Sequence, residues 1–511
     1  MIKNIASIKI SFYQIGYILM LSLLFTSCKK EETKITPPVT GPDQVFYALS
    51  DNSLYRFNAL DVKSLSNKIT ITGLSTTTEK LLDIDFRPAT GDMYGVSDAS
   101  KIYIIDAYGA ARVVGNAFIP GIAQNATASI DFDPVLDQIR LISSTGQNVR
   151  INPETGMLIA TDTPISATVA NISGIAYTNS IAGIDNTVLY NINLKDNKLY
   201  KQQPANSGTL VAVGDLGNNL GRSVSLDISP DNKNALAIGI VSDTTKLFSI
   251  DLSKGTTRLS GRFPKIAIQG IAMPLNPVAY AIDELNNLLI FNTSATNGTI
   301  TTKKITGLQA GETILGIDMR PIGGRLYALG SSSRLYTINL SSGVSTQVGT
   351  GVLSTLLNGT SFGFDFNPIN DRIRVISNTG QNLVINPDDV SIVVGTGLAS
   401  TATVSAAAYS NNFKGANTTN LYVIDHTTNR LYTQDLTTAA LTSIGDLKIA
   451  VESTNGFDII STKTNNVGYA IFGVAGKYNM YSVDLATGIA TSRNGEFTNK
   501  ITAFTLGLRF P

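Results

Sequence analysis

From Val45 onward the chain alternates short apolar runs with clusters of Gly, Pro, Asn and Asp. Leu82–Val114 shows the pattern: LDIDF, a turn, MYGV, a turn, IYIID, a turn, then RVV. Within each run apolar and polar positions alternate with period two, which predicts half-buried strands joined by tight turns. The same strand-turn sequence recurs at Gly316–Val348, and capped amphipathic helices are absent after the leader. Aligning the first strand of each unit sets Asp85, Asp131, Ala176, Asp227, Ala272, Asp318, Asp365, Ala408 and Asp458 in one column, 43 to 51 residues apart. A four-stranded antiparallel unit at that spacing predicts a β-propeller blade.

A coarser repeat lies over the fine one. Asp131–Pro153, DFDPVLDQIRLISSTGQNVRINP, returns as Asp365–Pro387, DFNPINDRIRVISNTGQNLVINP, identical at 15 of 23 positions without a gap. Each half therefore holds five units. The first unit (FYALS at Phe46, then LYRFN) lacks its leading strand, and each half ends on an orphan strand, Ile268–Met273 and Ile501–Leu508. A late strand completing an early blade closes a ring, so the fold expected is all-β: two tandem five-bladed propellers over 45–275 and 276–511. One ten-bladed ring closed by Ile501–Leu508 is the alternative.

Residues 1–27 read as a secretory signal, with Lys3 and Lys9 before an apolar run through Tyr17–Phe25. Leu24-Phe25-Thr26-Ser27-Cys28 resembles the lipobox of bacterial lipoproteins, in which the Cys is lipidated and becomes the new N-terminus; Phe25 departs from the preferred Leu. An ordinary signal peptide with an incidental Cys is the alternative. Residues 28–44 then form a tether, charged at KKEETK and Pro-rich at Ile35–Pro42. Acidic residues directly after the Cys resemble the surface-export signals of some Gram-negative lipoproteins; a merely solvated linker reads equally well. The address expected is the outer membrane, held through an N-terminal lipid, facing either the periplasm or the cell surface.

The resemblance of the remaining chain rests on LLDIDFRPATGDMYGV and ILGIDMRPIGGRLYAL, the paired DF-x-P…TGQN-x-x-INP stretches, AYTN at Ala176 and AYSN at Ala408. On these motifs residues 45–511 look like two tandem copies of the bacterial family of domain of unknown function 4394. The resemblance implies secreted or surface proteins of repeat type, and it supplies no catalytic residues.

Composition narrows the function classes. Charged residues are only 15% of the chain and net charge is +1, falling to −1 when Lys3 and Lys9 leave with the leader. Nothing there argues for nucleic acid. The one Cys excludes an intrachain disulfide, and one His (His426, with none in the matching NLKDN stretch) leaves no basis for a Ser–His–Asp or zinc site repeated in both halves.

The third unit of each half is chemically exceptional. Arg140 and Arg374 stand where the second units carry Tyr94 and Tyr327, and Asn148 and Asn382 replace Ile102 and Leu335. A buried guanidinium has to be paired, and the nearby carboxylates are Asp131 and Asp137, or Asp365 and Asp371. These eight residues form the candidate cluster, read either as a salt-bridged network fixing the sheet or as a polar ligand site at one mouth of the ring. The first-strand Asp column could hold a structural cation such as calcium, but turn-capping is the reading favoured; no other cofactor is expected. Two functions remain: a surface-tethered binding or scaffold module, monomeric, for an extracellular protein or glycan; or a cation-assisted hydrolase or lyase acting on extracellular polysaccharide.

Overall fold

The computed structural model describes residues 39–508 except 66–67, 166–170, 276–277, 294–299, 341, 400, 414 and 462–464. The leader, Cys28 and most of the tether lie outside the described residues. Among the described residues there is no helix long and apolar enough to cross a membrane. All regular structure among the described residues is β, arranged as ten four-stranded antiparallel sheets.

Alternation builds each sheet. In Leu81–Phe86, Met93–Ser97, Ile102–Ile105 and Ala111–Val114, burial is greatest on the inner strands and falls off at the outermost. Both faces of the inner strands are therefore covered, by the sheets on either side. The core is correspondingly a series of apolar layers between neighbouring sheets. In one, Tyr94, Val96 and Ile102 of the second sheet pack on Ile130, Phe132 and Leu141 of the third.

The leading strand missing from the first unit comes from the end of its own half. Gly270–Ala272 pairs antiparallel with Val45–Ser50, setting Tyr47 opposite Ala272. In the second half Ile501–Leu506 pairs with Val278–Asp283, setting Tyr280 opposite Thr505. Ala272 and Thr505 therefore occupy equivalent positions. The innermost strands follow one another in order: Leu81–Phe86 lies against Ala128–Asp133, then Ile172–Tyr177, Arg222–Ile228 and Gly270–Ala272, which returns to Leu81–Phe86. Ile314–Met319, Phe362–Asn367, Val404–Tyr409, Ser453–Ser461 and Ile501–Leu506 repeat that order. In the second half the approach between inner strands is close enough at Gly363 to need glycine, since a Cβ there would fall 2.5 Å from Ala407 Cβ.

From Thr40 onward the described residues pack as one compact unit. The two halves meet through their Arg-Pro turns, Arg87–Asp92 and Arg320–Arg325. Tyr280 donates its hydroxyl to the Ala89 carbonyl, Arg325 reaches Glu154 at 2.8 Å, and Ala89 and Ala182 join the apolar layer formed by Ile282, Ile290 and Ile317.

Candidate functional site

Two groups of chemistry-bearing side chains stand out: three carboxylates where the inner strands of each half converge, and the guanidinium of each third sheet.

In the first half Asp85, Asp131 and Asp227 are buried, each offering an oxygen within 4.8 Å of the others; Asp318, Asp365 and Asp458 repeat the arrangement. They do not cap turns, contrary to the role favoured from the sequence. Each instead accepts a backbone N–H from the inner strand of the next sheet. Asp85 Oδ2 takes Phe132 N–H at 2.9 Å, Asp131 takes that of Tyr177, and Asp227 Oδ2 takes that of Met273 at 2.5 Å. In the second half Asp318 takes Phe366 N–H at 2.7 Å, Asp365 takes Tyr409 at 3.0 Å and Asp458 takes Leu506 at 2.7 Å. Turn-capping falls instead to Asp133, which accepts the N–H groups of Val135 and Leu136, and to Asn367, which accepts that of Ile369. An amide accepts there as well as a carboxylate does, so the second copy tolerates Asn.

Burial pushes all six carboxyls up, Asp227 to about 7. Asp85 raises Asp131, Asp227 raises both, and Asp318 and Asp458 raise Asp365 in the same way. Three carboxylates this close in a low-dielectric interior do not all ionise alone. They share protons, or they surround a cation. Oxygens on opposite sides of a calcium ion lie about 5 Å apart, so the spacing fits a hard divalent ion. In the second half Asp365 Oδ2 is buried with no hydrogen-bond partner, while Thr505 Oγ1 lies 2.8 Å from both Asp318 and Asp458, within reach of either for its single proton.

The halves differ one step along these strands. The first half carries Asp83, Ser129 and Ser225 there. Asp83 accepts from Ser129 Oγ at 2.7 Å, Ile130 N–H at 3.0 Å and Ser225 Oγ at 3.3 Å, and burial lifts it to about 7. The second half carries Gly316, Gly363 and Gly456, lining a small cavity with Ala406 and Ala503.

The third-sheet cluster divides differently from the sequence grouping. Arg140 is 1% exposed. Its Nε donates to Tyr177 Oη at 3.2 Å, Nη1 to Asn148 Oδ1 at 2.9 Å and to Asp162 Oδ2 at 2.5 Å, and Nη2 to Asn206 Oδ1 at 2.5 Å. Arg140 and Asn148 thus meet, but the carboxylate is Asp162, not Asp131 or Asp137. Asp131 faces the other carboxylates; Asp137 pairs with Arg87 of the preceding sheet at 2.8 Å. Asp162 also takes Arg150 at 2.8 and 2.9 Å. Burial raises its carboxyl, but the hydrogen bonds from Arg150 and Arg140 outweigh that and hold it low.

In the second half Arg374 keeps Tyr409 Oη at 3.2 Å and Asn382 Oδ1 at 2.8 Å. Asp365 lies directly across the strand pair yet bonds Tyr409 N–H, and Asp371 pairs with Arg320 at 2.9 Å. The residues missed by sequence reasoning are Arg87, Arg320, Asp162 and Asn206. The Arg-Pro turn present in both halves was a readable signal for the first two. Asp162 and Asn206 carry no such repeat, because their counterparts in the second half differ.

A family model described as "Domain of unknown function (DUF4394)" matches twice, at residues 53–272 and 287–506. No curated protein matches the chain. Among solved structures it is similar to PorZ, described as an essential bacterial surface component of the type-IX secretion system of Porphyromonas gingivalis, at 12% identity and TM-score 0.24, over 89% of this chain and 58% of that one. A putative 6-phosphogluconolactonase from Bacteroides uniformis matches at 14% identity and TM-score 0.26, over 65% and 98%. The extracellular domain of a putative hybrid two-component system from B. thetaiotaomicron matches at 10% and 0.25, over 84% and 62%.

Proposed function

The chain belongs to the DUF4394 family in both of its halves, and from that premise we propose that it is a cell-envelope lipoprotein whose two β-propellers serve as a tethered binding or scaffold module. The propeller reading is supported by the inner-strand order that returns to its start in each half. Closure of each half by its own last strand favours two five-bladed rings, 45–275 and 276–511, over a single ring of ten. Cys28 is the lipid attachment point and residues 28–44 the tether.

One observation carries the binding role. The inner-strand carboxylate staples are the same in both halves, whereas the polar groups between the third and fourth sheets differ: Asp162 and Asn206 bond Arg140 in one, and Gly395 stands at the Asp162 position in the other. A rigid framework copied twice with altered polar groups on it is how one fold hosts separate recognition sites. Hydrolysis of polysaccharide is the weaker reading, because the converging carboxylates are buried where no polymer chain reaches them. They support a structural role, with a divalent cation or shared protons balancing their charge.

The test is fractionation with protease treatment of intact cells. Wild type should partition with the outer membrane, be cleaved from outside if it faces outward, and move to the soluble fraction as Cys28→Ala. Unchanged fractionation of that variant overturns the lipoprotein reading.

A further inference from the structure

Arg374 is 7% exposed, and no carboxylate among the described residues forms an ion pair with it. That is unusual for a guanidinium this buried, since desolvating a charge is costly unless an opposite charge or full hydrogen bonding offsets it. Its two side-chain partners, Tyr409 Oη and Asn382 Oδ1, are neutral.

The first half shows what balances the same guanidinium. Arg140 makes the equivalent bonds to Tyr177 and Asn148, then adds Asp162 on Nη1 and Asn206 on Nη2. The backbone places the second-half equivalent of Asp162 directly. Asp162 N–H donates to Asn148 O at 2.9 Å as Gly395 N–H donates to Asn382 O at 2.9 Å. Asn148 Nδ2 donates to Thr163 O at 3.1 Å as Asn382 Nδ2 donates to Thr396 O at 2.8 Å. Gly395 therefore stands where Asp162 stood. The loop that carries Asn206 is one residue shorter in the second half; there Thr437 meets Thr396 through its carbonyl, as Asn206 meets Thr163, and no side-chain amide reaches Arg374 from it. The second guanidinium, Arg150, is replaced by Val384 in the same cross-strand row. The second half has lost a carboxylate and the volume of its side chain while keeping the Arg, Asn and Tyr that surround it.

We propose that the gap between the third and fourth sheets of the second half, at Arg374, Asn382, Tyr409 and Gly395, binds a small carboxylate, whose oxygens take the place that the Asp162 side chain fills in the first half. A planar guanidinium edge matches a carboxylate geometrically as well as electrostatically. Val394 and Thr396, the chain neighbours of Gly395, are exposed, so the ligand is reached from solvent with its non-carboxylate end outward. This deepens the binding reading by naming a ligand class, and it is tested on the purified mature chain, where failure of the membrane anchor has no bearing.

The probe is acetate, titrated against chloride at constant ionic strength and pH 7, with thermal unfolding as the readout. Wild type should show a saturable rise in Tm specific to acetate. Gly395→Asp restores the carboxylate in cis; it should raise Tm without ligand and abolish the acetate response. The first half holds Asp at this position. A Cβ at Gly395 would lie 3.1 Å from Asn382 Nδ2, so the amide has to give by a few tenths of an ångström, and Arg374→Gln is the second variant that needs no such adjustment. Arg374→Gln should also abolish the response. Absence of an acetate-specific rise in wild type, or an undiminished rise in Gly395→Asp, overturns the proposal.

Discussion

Arg87 of the second sheet grips Asp137 of the third: Nε donates to Oδ1 at 2.8 Å, and the side chains are 3% and 5% exposed. Fifty residues separate them in sequence, and the pair locks one sheet to the next at the turn. The second half repeats it with Arg320 and Asp371 at 2.9 Å, and a second carboxylate stands by in each half, Glu154 at 3.5 Å from Arg87 and Asp388 at 2.7 Å from Arg320; the difference is that the second pair is 12% and 18% exposed.

Burial decides the outcome of breaking these pairs. Arg87→Ala leaves Asp137 desolvated and unbalanced, a loss of about 3–5 kcal/mol. Arg320→Ala should cost less, because water reaches Asp371 and Asp388. Denaturant unfolding of both variants checks the ordering. Equal, small losses would mean that burial does not set the strength of these contacts.

This pair also marks where sequence reading stops. Alternation and turn spacing made the four-stranded antiparallel unit legible, because side-chain period and turn chemistry are local properties. The exceptional Arg140 and Asn148 were legible too, since sibling units carry Tyr and Ile in their places. Their counter-charge was not. Asp137 is nearest to Arg140 along the chain, but it sits in the turn at φ 51° and its carboxylate meets the preceding sheet. Asp162, the actual partner, follows the outermost strand, and only the fold brings it back over Arg140. The inner-strand Asp column was visible as a repeat. Its bonding to the neighbouring sheet was not, because an N–H acceptor across sheets leaves no periodic mark.

Asp83 gives a pH signature with a definite sign. Burial raises its carboxyl from 3.8 to about 7, against the opposing bonds of Ser129 and Ile130. Between those values the folded chain holds a proton that the unfolded chain has released, so stability falls as pH rises from about 4 to about 7. The shift corresponds to a loss of ~4 kcal/mol across that window. Asp83→Asn mimics the protonated group and should flatten this part of the profile. Asp227 acts with the same sign, so calcium should recover part of the loss at pH 7 if a cation sits among Asp85, Asp131 and Asp227. Stability that climbs from pH 4 to pH 7 in both wild type and Asp83→Asn would contradict the assignment.

Closure of the first half by Gly270–Ala272 bears on how the chain folds. That strand supplies the inner edge of the first sheet, pairing Ile271 with Ala48, while Ile271 N–H reaches Ser225 Oγ of the fifth sheet at 3.1 Å. Ile268, Ile271 and Met273 also complete the apolar layer around Phe46, Phe57 and Phe263. Residues 40–275 therefore contain every strand of their own five sheets, and the fragment should unfold cooperatively. Ending it at residue 265 removes the closing strand, leaves an unpaired edge on Val45–Ser50 and opens that apolar layer, so the shorter fragment should lose cooperativity or aggregate. The contacts between halves, among them Tyr280 to Ala89, Arg325 to Glu154, Lys303 to Asp185 and the apolar layer that takes in Ala89 and Ala182, pair no strand of one half with a strand of the other among the described residues. Should 40–275 aggregate while the full chain melts in one transition, the interface rather than the closing strand would be what holds the first half together.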